Sequence, residues 1–231
     1  MPAADQPEQG TVRVEVVDRI AHDIRDGHYH PRERLVEADL AQTYAVSRSA
    51  IRSALIELAA IGLVEREANR GARVRRVSID EAIESTEVRL TLQALCAQRA
   101  AERVDDGQRD LLRAQIALLH EGVDHGEVAV YTGANAEISR LIREISGHGT
   151  ATRIIESLQN QVRSNWYPYL LPDRRVESMH EYDKVVEAVI EGDSDAASVA
   201  ALEHRAHVLE ALNGIREAML SDAHRAAPIP P

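Results

Sequence analysis

Beyond Ser78 the chain never alternates apolar and polar residues as a half-buried strand must. Its apolar residues recur every three or four positions, the period of a helix packed by one face. Six such stretches follow one another, at about 80–104, 107–123, 127–146, 150–169, 174–191 and 194–220. The breaks fall at Asp105-Asp-Gly107, Gly126, Gly147-His-Gly149, Pro172 and Gly192-Asp193. Only Leu63 to Val77 reads as strand, alternating in patches around Asn69-Arg-Gly71, the pattern of two short strands joined by a turn. The fold is therefore expected to be mainly α, with an all-α six-helix bundle as its C-terminal part.

The first third has a different grammar. Val12, Val16, Ile20 and Ile24 make an apolar stripe that Gly27 stops, and Pro31 marks a turn. Leu35, Leu40, Ala41 and Tyr44 form a second periodic stretch ending near Val46. Ser47 is a good N-cap for a third helix, along which Ile51, Leu55, Leu58 and Ile61 repeat before Gly62. A short helix, a tight turn, a longer helix and a β-hairpin in series predict a winged helix-turn-helix over residues 11–77. The helical domain then covers 79–221, with disordered tails at 1–10 and 222–231.

Charge follows the same division. The net charge of −11 argues at first against a polyanionic partner, yet residues 1–78 carry 12 Arg against 12 Asp or Glu, and the whole excess of acid lies beyond them. Between Arg48 and Arg76 seven arginines face three glutamates, so a phosphate backbone would dock there. A chain of 231 residues can bury a sizeable core, and no apolar run reaches the roughly 18 residues that span a bilayer. Cys96 is the only cysteine and the N-terminus lacks a signal-peptide pattern, so a cytoplasmic protein without disulfides is expected.

In a helix-turn-helix the second helix enters the major groove with its first residues on the base edges. Here that helix opens Ser47-Arg-Ser-Ala-Ile-Arg52, and Arg48 and Arg52 share a face opposite the Ile51–Leu55–Leu58 stripe. Both suit bidentate contact with guanine or phosphate, and Ser49 would bond a phosphate. In the wing, Asn69, Arg70 and Gly71 are expected in an adjacent minor groove, with glycine permitting close approach. Taken singly each arginine is an ordinary solvated charge; the short helix, the turn and the basic hairpin together favour DNA. Arg66, Arg73, Arg75 and Arg76 are less specific.

These residues carry a resemblance. GHYHPRERL at 27–35, ADLAQTYAVSRSAIRSALIELAAIGLVE at 38–65 and NRGARV at 69–74 resemble the winged helix of GntR-type transcription regulators. The chain departs from that family at Pro31-Arg32, where Pro-Gly is usual, and at Ala50 and Ser53, where proline and glutamate are usual. Six helices after such a domain resemble the FadR-like branch with its effector-binding FCD domain, and six rather than seven suggest the VanR-like subgroup. Glu87-Val-Arg89, Glu144-Ile-Ser-Gly147 and Gly192-Asp193 followed by His204 sit at that domain's spacings.

A helical bundle holds a ligand or metal where polar side chains of facing helices converge, and Asn135, Ser139, His180 and His204 are the candidates. In metal-binding members of the resembled family the four positions are an aspartate or asparagine and three histidines, so Asn135, His180 and His204 are the implied ligands of a divalent ion such as zinc or nickel. Ser139 replaces the remaining histidine and weakens the set. Arg89 stands in an otherwise apolar stretch (Val88, Leu90, Leu92, Leu95), and the resemblance implies that it anchors an effector carboxylate. A small organic acid is the expected effector. Asn165-Trp-Tyr-Pro-Tyr169 reads as a core or dimer-contact cluster, and Cys96 as a small buried hydrophobe.

The expected protein is a homodimeric regulator that binds a palindromic operator and is released, as a repressor, when an acid shifts the helical domain between two states. The alternative is a metal-dependent hydrolase in the bundle with the winged helix as an interaction module. The chain offers that alternative no HExxH, no nucleophile elbow and no phosphate-cradling glycine loop. A purely architectural DNA binder would need a more basic second domain and no pocket.

Overall fold

The four-residue spacing of Val16, Ile20 and Ile24 becomes the buried face of helix α1 (Pro7–Arg25) in the computed structural model, which describes residues 7–25, 27–67, 71–163 and 174–225. Helix α1 starts five residues before Val12, where the apolar stripe begins. Proline's missing N–H costs nothing at a first helical position, so Pro7 opens the helix and 7–10 is not a loose tail. Strand β1 (Arg34–Leu35) comes next, then α2 (Glu37–Thr43), α3 (Arg48–Ala60), β2 (Val64–Glu67) and β3 (Gly71–Val74).

The strands form an antiparallel sheet in the order β1-β3-β2, with Leu35 opposite Ala72 and Val64 opposite Val74. Leu35 was expected in the helical stretch that follows it; it is instead a strand residue whose side chain joins the core with Ile20, Ile51, Leu58 and Val74. Gly71 shows why the hairpin needs a glycine. Its φ is +89, and a Cβ there would lie 2.5 Å from the Leu35 carbonyl oxygen. Arg32 also has a positive φ, 69. The turn that the resembled family usually makes with Pro-Gly is kept here with an arginine in the left-handed region, a conformation that costs a side-chain-bearing residue about 1 kcal/mol or more.

Contacts divide the chain into two units: the first holds residues 1–78 together with a short segment that starts at Gln159, and the second holds 79–158 and the chain from Pro168 onward. The helices that follow are α4 (Ile79–Ala101), α5 (Asp106–Asp124), α6 (Val128–Ser146), α7 (Gly149–Arg163), α8 (Arg174–Glu191) and α9 (Ser194–Arg225), and the second unit takes all of them except the end of α7 from Gln159 on. Helix α9 runs past the expected limit at residue 221 because nothing between Gly214 and Arg225 breaks it, the next proline being Pro228. A capping box starts α5: Asp105 Oδ1 accepts from the Gln108 amide at 2.8 Å, and the Asp105 amide donates to Gln108 Oε1 at 3.1 Å.

Helix α4 packs on α6, α8 and α9, while α5 packs on α6 and α8. The alanine-rich face of α4 (Ala94, Ala97, Ala100, Ala101) is buried and lets these neighbours approach closely. Cys96 lies in the same core, and burial pushes its thiol pKa up, so it serves as a small apolar side chain rather than a thiolate.

Candidate nucleic-acid interface and ligand pocket

Helix α3 is clamped from behind and open in front. Ile51, Ala54, Leu55 and Leu58 are buried, while Arg48, Ser49 and Arg52 are exposed on the other side. Ser47 caps the helix, its Oγ accepting from the Ala50 amide at 3.2 Å and lying 2.9 Å from Ser49 Oγ. Arg52 is already engaged. Its guanidinium grips Glu37, the first residue of α2, through Nε at 3.1 and 3.2 Å and Nη2 at 2.8 Å. The Arg52 hydrogen bond, helped by the charges of Arg66 and Arg48, holds the Glu37 carboxyl below its ordinary value. Three guanidinium groups, two on α3 and one on β2, therefore share one positive region around a single carboxylate. Among the expected wing contacts Gly71 lies at the start of β3; Asn69 and Arg70 fall outside the described residues, as does the Trp166 cluster.

In the helical unit a cavity of about 30 Å³ opens among α4, α6, α8 and α9. Leu90, Gln93 and Ala97 line it from α4, Ser139, Ile142 and Arg143 from α6, Tyr182 and Val185 from α8, and Ala201 and His204 from α9. The Tyr182 hydroxyl donates to Asn135 Oδ1 at 3.2 Å and lies 3.4 Å from Ser139 Oγ, and its ring packs against that of His204 with centroids 5.0 Å apart. Asn135, Ser139 and His204 thus each lie against Tyr182. His180 does not join them. Its side chain is 65% exposed and faces Asp183 at 3.6 Å, because two residues along a helix turn a side chain about 200° and Tyr182, not His180, points into the bundle.

That rotation decides the metal question. The converging donors are one imidazole, one amide oxygen and two hydroxyls. Burial pushes the Tyr182 phenol up, so it stays protonated. A cationic guanidinium, Arg143, lines the same cavity. Among the described residues no three His, Cys, Asp or Glu side chains gather as ligands. The set does not fit a divalent ion, and the expected ligation by Asn135, His180 and His204 is corrected accordingly.

Arg89 is half-buried at the edge of the cavity, where its Nη1 donates to Gln93 Oε1 at 3.1 Å and its charge reaches Tyr182. Sequence reasoning missed two residues. Arg143 is one. The other is Glu181, buried behind His204, whose carboxylate accepts from His204 Nδ1 at 2.6 Å, His207 Nδ1 at 2.8 Å and Arg174 Nη2 at 3.0 Å. The Nδ1 bond to Glu181 fixes the orientation of the His204 ring. Burial raises the Glu181 carboxyl pKa, but the His204 hydrogen bond and the charges of His204 and Arg174 outweigh it and leave the value lowered. A lowered carboxylate stabilises the fold above its unfolded value near 4.5 and loses that contribution as pH falls through the folded value. Between about pH 5.5 and pH 3.5 the melting temperature of the wild type is expected to fall more steeply than that of Glu181→Gln, which has no carboxyl to protonate. Parallel thermal melts of the two proteins check this.

Comparison with known proteins places this arrangement. The family model for FCD domains matches residues 84–207, more than half of the chain, and that for bacterial regulatory proteins of the gntR family matches residues 13–74. The chain is a GntR-family regulator with an FCD domain. It is 24% identical over 199 residues to the uncharacterized HTH-type transcriptional regulator YdhC of Bacillus subtilis, covering 84% of this chain and 88% of that one. It is 22% identical over 190 residues to the HTH-type transcriptional repressor RspR of Escherichia coli, covering 81% and 82%. Among solved structures, E. coli McbR/YncC shares the fold with a TM-score of 0.76 at 18% identity, over 89% of this chain and 98% of that one. The family and its relatives are transcriptional regulators, not enzymes, so the hydrolase alternative is set aside. No helix among the described residues is long and apolar enough to cross a membrane.

Proposed function

We propose that this GntR-family regulator is a cytoplasmic homodimeric repressor of the six-helix, VanR-like kind, which binds a palindromic operator and releases it when a small carboxylate enters the helical unit. The observation that carries the reading is the first turn of α3, with Arg48, Ser49 and Arg52 exposed and the opposite face sealed in the core. A second copy doubles the contacts of one winged helix and matches a two-fold operator. Asn69, Arg70 and Gly71 are the proposed minor-groove contacts. Repression is supported by the names of two relatives, RspR and the probable D-xylose utilization operon transcriptional repressor of Paenarthrobacter nicotinovorans, the latter 23% identical over 201 residues.

The proposed effector site is the cavity between α4, α6, α8 and α9, with Ser139 and His204 on its wall, Asn135 behind the Tyr182 hydroxyl and Arg89 at its edge. Ligand entry shifts the population of a state that holds the two reading heads at operator spacing. The test is fluorescence anisotropy of a labelled operator duplex titrated with acetate, propionate, lactate and succinate at constant ionic strength. Release by at least one of them is expected, and undiminished binding with all four would refute the effector part of the proposal.

A further inference from the structure

The sequence predicts an imidazole from α8, His180, among the converging side chains of the helical unit, and the fold places a phenol there instead. Tyr182 is 9% exposed, and its hydroxyl reaches two residues that stand one turn apart on α6, Asn135 and Ser139. A phenol has one proton to give. That proton goes to Asn135 Oδ1 at 3.2 Å, so in the 3.4 Å contact the Ser139 hydroxyl is the donor and the phenol oxygen the acceptor. The ring of the same side chain packs against His204 of α9. One residue thus ties α8 to both α6 and α9. Its neighbour Glu181 doubles the tie to α9 through hydrogen bonds from His204 and His207.

A divalent ion held between helices makes the same kind of tie, by drawing lone pairs from several side chains to one point. Here that point is taken. An ion bound by Asn135 and Ser139 would have to displace the phenol oxygen that already lies within hydrogen-bond distance of both, and the His204 imidazole is held at Nδ1 by Glu181 at 2.6 Å. We propose that Tyr182 is a built-in substitute for a metal ion, a hydroxyl hub that joins α6, α8 and α9 and makes the helical unit independent of divalent cations. Two side chains then separate this pocket from a metal site. Imidazole is shorter than phenol, so Tyr182→His vacates the centre, and Ser139→His fills the space from α6. Together with Asn135 and His204 the pair would gather three imidazoles and one amide oxygen, a set that suits tetrahedral zinc.

Thermal melts and calorimetry of the full chain, stripped with EDTA and then titrated with zinc, test the hub directly. The wild type is expected to melt at the same temperature with and without zinc. Tyr182→Phe removes one oxygen and leaves Asn135 and Ser139 facing a ring edge, so its melting temperature is expected to be lower by at least about 2 °C. For Ser139→His/Tyr182→His, zinc at about a hundredfold excess over Kd is expected to raise the melting temperature by about 5 °C or more, with saturation at one ion per chain. Adding His204→Ala should abolish that gain, which separates the built site from surface histidines. Should the double variant fail to fold, the wild type and Tyr182→Phe decide. Zinc that stabilises the wild type but not His204→Ala, a Tyr182→Phe protein as stable as the wild type, or a folded double variant indifferent to zinc would each overturn the inference. Neither operator binding nor effector release is read, so failure of the proposed effector site leaves the hub untouched.

Discussion

Gly122→Ala is expected to destabilise the helical unit by about 2–3 kcal/mol, against the usual sign of a glycine-to-alanine change inside a helix. In an open helix interior alanine gains roughly 0.5–1 kcal/mol over glycine, because glycine loses more backbone freedom on folding. At Gly122 the added Cβ would lie 2.5 Å from the Tyr131 amide nitrogen and 2.8 Å from its Cα, so the obstacle is the backbone of α6 and not a movable side chain. Helices α5 and α6 would have to separate, loosening Leu119 and Tyr131 in the core. Gly133 on α6 provides the control, since a Cβ there meets nothing within 4 Å. Urea unfolding followed by circular dichroism should move the midpoint down for Gly122→Ala and slightly up for Gly133→Ala. A shift of the same sign in both would mean that the close approach of α5 and α6 is absent.

The second large effect concerns DNA. Arg48→Ala is expected to weaken operator binding about tenfold or more, with a loss of base preference if the guanidinium meets a guanine and a shallower salt dependence if it meets a phosphate. Glu37→Gln is expected to act in the opposite direction. It removes the one carboxylate that holds Arg52 and sits among Arg48, Arg52 and Arg66, so affinity for duplexes of any sequence should rise while preference for the operator falls. Anisotropy titrations of operator and scrambled duplexes at two salt concentrations separate the cases. Arg48 and Arg52 looked equivalent at four-residue spacing in the sequence. Their difference lies in α2, which places Glu37 against only one of them as a bidentate partner.

Much of the fold was legible because helix periodicity is a repeated signal. The stripes on α1 and α3 turn inward as their spacing requires, and the glycine after α3, Gly62, adopts the left-handed φ of 74 that ends a helix. Strand β1 was not legible, since two residues carry no alternation, and its reality depends on Ala72 and Arg73 arriving from nearly forty residues away.

At the candidate pocket the limitation was rotational. The chemistry of α8 was visible as His180, Glu181, Tyr182 and Asp183, but which of these four faced inward depended on how α8 packs against α4, α5 and α9, and a register error of two residues exchanged a buried tyrosine for an exposed histidine. Arg143 had a signal that went unread. An arginine between Ile142 and Ile145, one turn from Ser139, satisfies the same criterion of a charge in an apolar run that singled out Arg89.

Sequence-specific binding through α3 is the central claim, and selection of bound duplexes from a random DNA pool at near-physiological salt tests it most directly, with Arg48→Ala protein run in parallel. Enrichment of a palindromic site by the wild type and its loss or relaxation in the variant is the predicted result. Enrichment of the same site to the same degree by both proteins, or of no site by either, would contradict it.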